Sequence, residues 1–234
     1  MNFLKKLNDK FIFYKTIIKT LIKIMFIFPE DIVLLHKMLI SMNKNQDVPW
    51  LNYKALRWLE SYLKPDMNVF EYGSGKSTIY FSKKVKSVVS IEHNKIFYQI
   101  WKERIEKEGL KNINYVLIEP EKGVKNSELF SSKFSKEFED LSFEKYVKYI
   151  EKFPDKYFDF ILIDGRARCG CLKYAIKKLK DNGVIMLDNS ERSRYLECSK
   201  KFLKEFKKKD FYGIGPNEIS PWRTSVFFRK KEVL

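Results

Sequence analysis

The chain has 234 residues, enough for one domain with an appendage but cramped for two, and at 44% hydrophobic and 16% aromatic it is too apolar to be disordered throughout. Its 46 basic residues against 30 acidic ones leave a formal charge of +16, yet only eight of the 46 are Arg, and Lys spread along helices ordinarily marks a solvated face. Three Cys (169, 171 and 198) and two His (36 and 93) cannot complete a four-ligand zinc site without carboxylates. The odd cysteine count and the lack of a signal-peptide pattern point to a reducing, cytoplasmic setting.

Residues 1–46 read as a helical extension and 47–234 as the main domain. Lys15, Lys19 and Lys23 recur every four residues, opposite Ile, Leu and Phe, so 1–28 is expected to form a basic amphipathic helix. Its lysines interrupt any spanning run. Such a helix either packs on the domain or a second subunit, or lies on the inner face of an anionic membrane. Ile32–Met42 predicts a second short helix, carrying His36 among apolar neighbours.

Helix is predicted for Trp50–Leu63, from which strands and helices alternate: strand Met67–Tyr72, helix Ser77–Lys84, strand Ser87–Glu92, helix Lys95–Glu108 and strand Ile113–Leu117. A polar, aromatic stretch over 119–155 contains a helix around Ser142–Phe153, whose Tyr146, Tyr149, Ile150 and Phe153 read as core or as a lid. Strand Phe158–Ile163, helix Gly170–Leu179, strand Gly183–Leu187 and helix Ser190–Phe206 follow, and Phe211–Ile214 and Thr224–Phe228 close the chain as strands. Alternation of this kind builds a parallel sheet covered by helices on both faces.

The first strand runs into Glu71-Tyr-Gly73-Ser74-Gly75-Lys-Ser-Thr78. Gly75-Lys76-Ser77 imitates the end of a P-loop, but Phe70 stands where its first glycine belongs, and Thr78 replaces the third glycine of a dinucleotide turn. Two further strands end in acid: Ile161-Leu-Ile-Asp164-Gly-Arg166-Ala-Arg168, and Met186-Leu-Asp188-Asn189. Ligands of open α/β sheets bind beyond the carboxyl ends of strands, so Asp164 and Asp188 are expected to face the same crevice as Gly73.

Glu71-x-Gly73-x-Gly75, with Glu92 ending the next strand, resembles motif I and its acidic partner in class I S-adenosylmethionine (SAM) methyltransferases, and the likeness extends over roughly residues 50–228. It implies a Rossmann-like, doubly wound, mostly parallel seven-stranded sheet. Glu71, Gly73, Ser74, Gly75, Glu92, His93 and Asp164 would then hold SAM, with Glu92 on the ribose hydroxyls. Asp164, Asp188 and Asn189 also resemble the magnesium site of catechol-type O-methyltransferases, although the lysine those enzymes carry after the first aspartate is missing; the alternative for Asp188-Asn189 is a helix cap. The run from Asp164 to Tyr195 is similar to small bacterial methyltransferases of surface-glycan loci.

The resemblance makes Asp164 and Asp188 the candidate catalytic groups for O-methylation of a sugar or related polar acceptor. Half of all arginines, Arg166, Arg168, Arg192 and Arg194, follow these two strands, a placement that suits a carboxylate or phosphate on the acceptor or, equally, surface pairs with Glu191, Glu197 or Asp181. An RNA methyltransferase is the rival enzyme, disfavoured because the chain lacks an Asn/Asp-Pro-Pro-aromatic tetrapeptide and a Pro-Cys nucleophile. A non-catalytic module of the same fold, docked to membrane by its basic helix, is the rival from outside enzymology.

Overall fold

The computed structural model describes residues 47–122, 128–132, 136–216 and 218–229. Both N-terminal helices, His36 and the membrane-facing lysines fall outside that set. Among the described residues no helix is long and apolar enough to cross a membrane.

Helix α1 (Tyr53–Tyr62) begins at Asn52, whose side chain accepts from the Ala55 amide. It is followed by β1 (Asn68–Tyr72), α2 (Lys76–Ser82), β2 (Ser87–Glu92), α3 (Lys95–Lys107) and β3 (Ile113–Leu117). The aromatic stretch folds as a small ribbon of β4 (Glu121–Lys122) against β5 (Leu141–Ser142), then α4 (Glu144–Lys148) and one 3-10 turn over Tyr149–Lys152. The helix expected there is therefore halved in length. Strand β6 (Phe158–Ile163), helix α5 (Arg168–Lys178), strand β7 (Leu179–Leu187), helix α6 (Ser193–Phe202) and the hairpin β8 (Phe206–Gly215) and β9 (Glu218–Arg229) complete the chain. Both closing strands outrun their apolar cores, because β8 and β9 pair with each other through the charged Lys207–Asp210 run. Residues Pro221–Thr224 lie within β9.

The seven-stranded sheet has the order β3-β2-β1-β6-β7-β9-β8, with parallel pairing from β3 to β7 and antiparallel pairing of β9 with both its neighbours. The reversal between β1 and β6 is the switch point at which a doubly wound sheet opens a crevice. Period-two alternation divides the core: Val69, Phe160, Leu162, Val184 and Met186 pack under α1 and α2, whereas Phe70, Tyr72, Ile161, Ile163, Ile185 and Leu187 pack under α4 and α5.

Cys169 on α5 and Cys198 on α6 form a disulfide, and Cys171 is the free, buried thiol. This corrects the expectation of three reduced cysteines. The pairing depends on α5 and α6 lying side by side, which no local spacing reveals. Closing a loop of 29 residues in the unfolded chain corresponds to about 3–4 kcal/mol. Dithiothreitol, or Cys198→Ala, should therefore lower the melting temperature by roughly 7–15 °C in a calorimetric scan.

Candidate active site

Three strands end at one level. The amide of Gly73 donates to the Ile91 carbonyl at 3.0 Å, that of Asp164 to Tyr72 at 3.0 Å, and that of Asp188 to Ile163 at 3.2 Å. Each residue that follows a strand is thus hung on the neighbouring strand, and the glycine turn, Asp164 and Asp188 share one edge as expected.

The turn is held close by glycine on both sides. Gly73 has φ of +91°, and a Cβ there would meet Gly165 Cα at 2.8 Å. A Cβ on Gly165 would lie 2.0 Å from the Tyr146 hydroxyl. Beneath the turn Glu71 is fully buried; its Oε2 accepts from Thr78 Oγ1 and Ser90 Oγ at 2.5 and 2.6 Å. Burial pushes its carboxyl up to about 7, against the pull of the Ser77, Ser90 and Thr78 hydroxyls. Glu71 therefore braces the turn from below and does not line a cavity. Gly75 opens α2, and a Cβ there would meet nothing within 4 Å.

A cavity of about 470 Å³ lies above the turn, lined by Trp50, Gly73, Ser74, Glu92, His93 and Asn94 on one side and by Phe138, Asp164, Gly165, Arg166 and Arg192 on the other. Glu92 Oε2 accepts from the Ser74 amide and hydroxyl at 3.1 and 2.8 Å, and Oε1 accepts from the His93 and Asn94 amides at 2.9 and 2.8 Å. Burial works to raise the Glu92 pKa, but His93, whose Nδ1 is 2.9 Å from Oε1, and the Asn94 and Ser74 donors outweigh it and hold the group below the usual carboxylate range. Glu92 is thus a fixed negative charge at the cavity wall.

A second cavity of about 540 Å³ adjoins the first and shares Trp50, Asp164 and Arg192 with it; Asp188, Asn189, Glu191, Pro221 and Trp222 complete it. Asp188 is buried, and its Oδ1 accepts from Trp222 Nε1 at 2.9 Å and Thr224 Oγ1 at 2.5 Å. Asn52 Nδ2 in turn donates to Thr224 Oγ1 at 2.9 Å and to the Phe211 carbonyl at 3.0 Å. Burial, reinforced by the Asp164 charge, pushes Asp188 up to about 7, against Arg168, Thr224 and Trp222. Asn52 was not legible as a site residue; the sequence offers the Pro221–Thr224 segment as a turn lining the far side of the pocket, but only the antiparallel hairpin, which brings β9 against β7, sets Trp222 and Thr224 on Asp188.

The four arginines separate into two pairs. Arg168 and Arg194 have structural partners: Arg168 is buried against Asp164, Gly165 and Asp188, and Arg194 donates to the carbonyls of Glu128 and Ser131. Both are directed away from acceptor binding. Arg166 and Arg192 line the cavities; Arg166 lies over the Phe138 ring at 4.7 Å and Arg192 over Tyr195 at 6.0 Å, and the Arg192 charge also acts on Asp164. Of the surface partners considered for them, Glu191 accepts from the Arg223 amide and Asp181 pairs with Lys156.

The donor set does not fit a divalent ion. Asp164 Oδ1 is engaged by Arg168 and Asp188 Oδ1 by two neutral donors, while Asn189 adopts φ of +47°. No group of three potential His, Cys, Asp or Glu ligands occurs among the described residues. The arrangement that resembled a magnesium site in sequence is occupied by a guanidinium.

Residues 25–132 match the model of the protein-L-isoaspartate(D-aspartate) O-methyltransferase family, a stretch that includes the glycine turn and Glu92. Among solved structures, an O-methyltransferase from Bacillus cereus in complex with SAH aligns with TM-score 0.56 at 16% identity, over 89% of this chain and 95% of that one. An rRNA methylase from Streptococcus thermophilus aligns with TM-score 0.51 at 14% identity, over 74% and 92% of the two chains. At such identities both show the shared fold alone. No curated protein matches the sequence. The sequence match and the shared fold make the chain similar to class I SAM-dependent methyltransferases, over less than half of its length in sequence and over most of it in fold.

Gly165→Ala should destabilise the domain by about 1–3 kcal/mol through overpacking. The Tyr146 hydroxyl is buried without a hydrogen-bond partner among the described residues, so Tyr146→Phe should cost little and should recover part of that loss in the double variant. Urea unfolding of the four proteins checks both points.

Proposed function

We propose that this chain is a SAM-dependent methyltransferase that O-methylates a small anionic acceptor, of the class of a sugar acid or a sugar phosphate, with Asp188 as general base. The observation that carries the reading is the common wall of the two cavities. Trp50, Asp164 and Arg192 border both, so a cofactor in one and an acceptor in the other would meet across them.

SAM supplies an electrophilic methyl group on a sulfonium. In this reading the Ser74–Glu92 side of the first cavity holds its ribose. Ser74 Oγ is 2.7 Å from Tyr115 Oη as well as bonded to Glu92, so it can turn to Tyr115 and release Glu92 Oε2 to a ribose hydroxyl. His93 borders the same end, and Asp164 lies toward the second cavity, where a carboxylate favours the ammonium and sulfonium charges.

Asp188 sits on the floor of the second cavity, oriented through Oδ1 by Trp222 and Thr224. Its elevated pKa makes it basic enough to take a hydroxyl proton as the oxygen attacks, which an ordinary surface aspartate does poorly. Arg192 has no side-chain hydrogen bond or ion pair among the described residues, and it lines the acceptor cavity as a planar donor for a carboxylate or phosphate. A sugar ring also suits the indole face of Trp50, which is 56% exposed at the rim of both cavities.

The test is turnover of labelled SAM with a panel of uronic acids and sugar phosphates. Asp188→Asn should lower kcat by about a hundredfold or more while keeping the stabilisation by S-adenosylhomocysteine. A base works only when deprotonated, so the wild-type rate should fall as pH drops through about 7 and level off above it. Arg192→Lys should raise the acceptor KM by roughly tenfold. An unchanged KM, or turnover confined to neutral sugars, removes the anionic acceptor from the reading.

A further inference from the structure

Arg168 is heavily engaged at the carboxyl edge of the sheet, with four hydrogen bonds from its guanidinium. It is only 7% exposed, and its guanidinium spans the two strand ends that carry the candidate catalytic acids. Nε donates to the Gly165 carbonyl at 2.9 Å, and Nη1 to the Asp188 carbonyl at 2.5 Å. Nη2 donates to both the carbonyl and Oδ1 of Asp164, at 2.7 and 2.8 Å. The plane of the group is 5.5 Å from the Tyr195 ring.

This placement runs against the local preference of the helix. Arg168 is the first residue of α5, where the helix dipole favours a negative group. Ala167 before it adopts φ of +47°, a left-handed conformation that costs a residue with a Cβ. A basic side chain at that end, behind a strained residue, is accounted for by what it reaches: the partly buried Asp164 carboxylate directly, and the main-chain carbonyl of Asp188, whose buried carboxylate lies within reach of its charge and would otherwise oppose that of Asp164.

We propose that Arg168 is the resident cation of this site, supplying to Asp164 and Asp188 the positive charge that a carboxylate–carboxylate–amide constellation would otherwise draw from a divalent ion. Arginine stays protonated at every working pH, and its planar fork grips both strand ends at once. Methyl transfer then proceeds without a metal: as the acceptor oxygen bonds to the methyl carbon, the carbon–sulfur bond breaks, the hydroxyl proton passes to Asp188, and S-adenosylhomocysteine leaves. Arg168 acts through the two carboxylates and is a positioning residue.

The inference rests on the transfer site proposed above, but its test is separate. Mn²⁺ alone is titrated into the full chain and followed by electron paramagnetic resonance, with S-adenosylhomocysteine stabilisation measured in parallel as a check of the cofactor site. The wild type should show no bound Mn²⁺ up to about 1 mM. Arg168→Met, which removes the charge and keeps the bulk, should bind Mn²⁺ at least about tenfold more tightly, whereas Arg168→Lys should remain silent. Should the Met variant not fold, the wild-type titration still decides. Mn²⁺ binding by the wild type that is lost in Asp188→Asn overturns the proposal, as does a folded Arg168→Met that gains no affinity. Loss of the S-adenosylhomocysteine response in the wild type would instead undermine the transfer site itself.

Discussion

The level at which the central strands stop is the constraint on which the site depends. Gly73, Asp164 and Asp188 each follow a strand and donate their amides to carbonyls at the carboxyl ends of the neighbouring strands. Parallel pairing makes this possible, since all these strands present the same end to the same edge. With that edge aligned, the close approach of Gly73 and Gly165 leaves room above the turn for a ligand, and the acids of β6 and β7 come together beside it.

Charge is arranged at this edge by burial more than by number. The chain carries a formal +16, yet the positive groups that border the two cavities are three arginines. Arg168 is consumed by Asp164 and the surrounding carbonyls, whereas Arg166 and Arg192 border the cavities without a hydrogen bond among the described residues. The acids differ in the same way. Glu92 is held ionised by main-chain and histidine donors, while Asp188 is pushed toward neutrality by burial and by Asp164. Adjoining cavities thus offer a permanent negative charge on one side and a proton acceptor on the other.

The antiparallel hairpin at the end of the chain does more than close the sheet. Through Thr224 and Trp222 it orients Asp188, and through Asn52 it ties that orientation to the start of α1. On the opposite face the Cys169–Cys198 disulfide joins α5, which begins with Arg168, to α6, which begins just after Arg192. The groups that would meet the reacting atoms are accordingly anchored from both faces and from both ends of the described chain.

Much of this was legible in the sequence. Strands β2, β3 and β6 have the boundaries that their apolar runs and turn residues indicate; in β2 and β6, which have neighbours on both sides, the run is nearly continuous because buried parallel strands must be apolar on both faces. The glycine turn and the acids ending β2, β6 and β7 likewise announced the crevice. Local spacing could not show the disulfide, the Asn52–Thr224–Asp188 chain or the division of the arginines, since each joins residues far apart in sequence. Arg166 and Arg168 read alike in the sequence, two positions apart. Only the left-handed turn at Ala167 and the packing of α5 send one to the cavity and bury the other against Asp164, because partners, and not residue type, determine where a guanidinium rests.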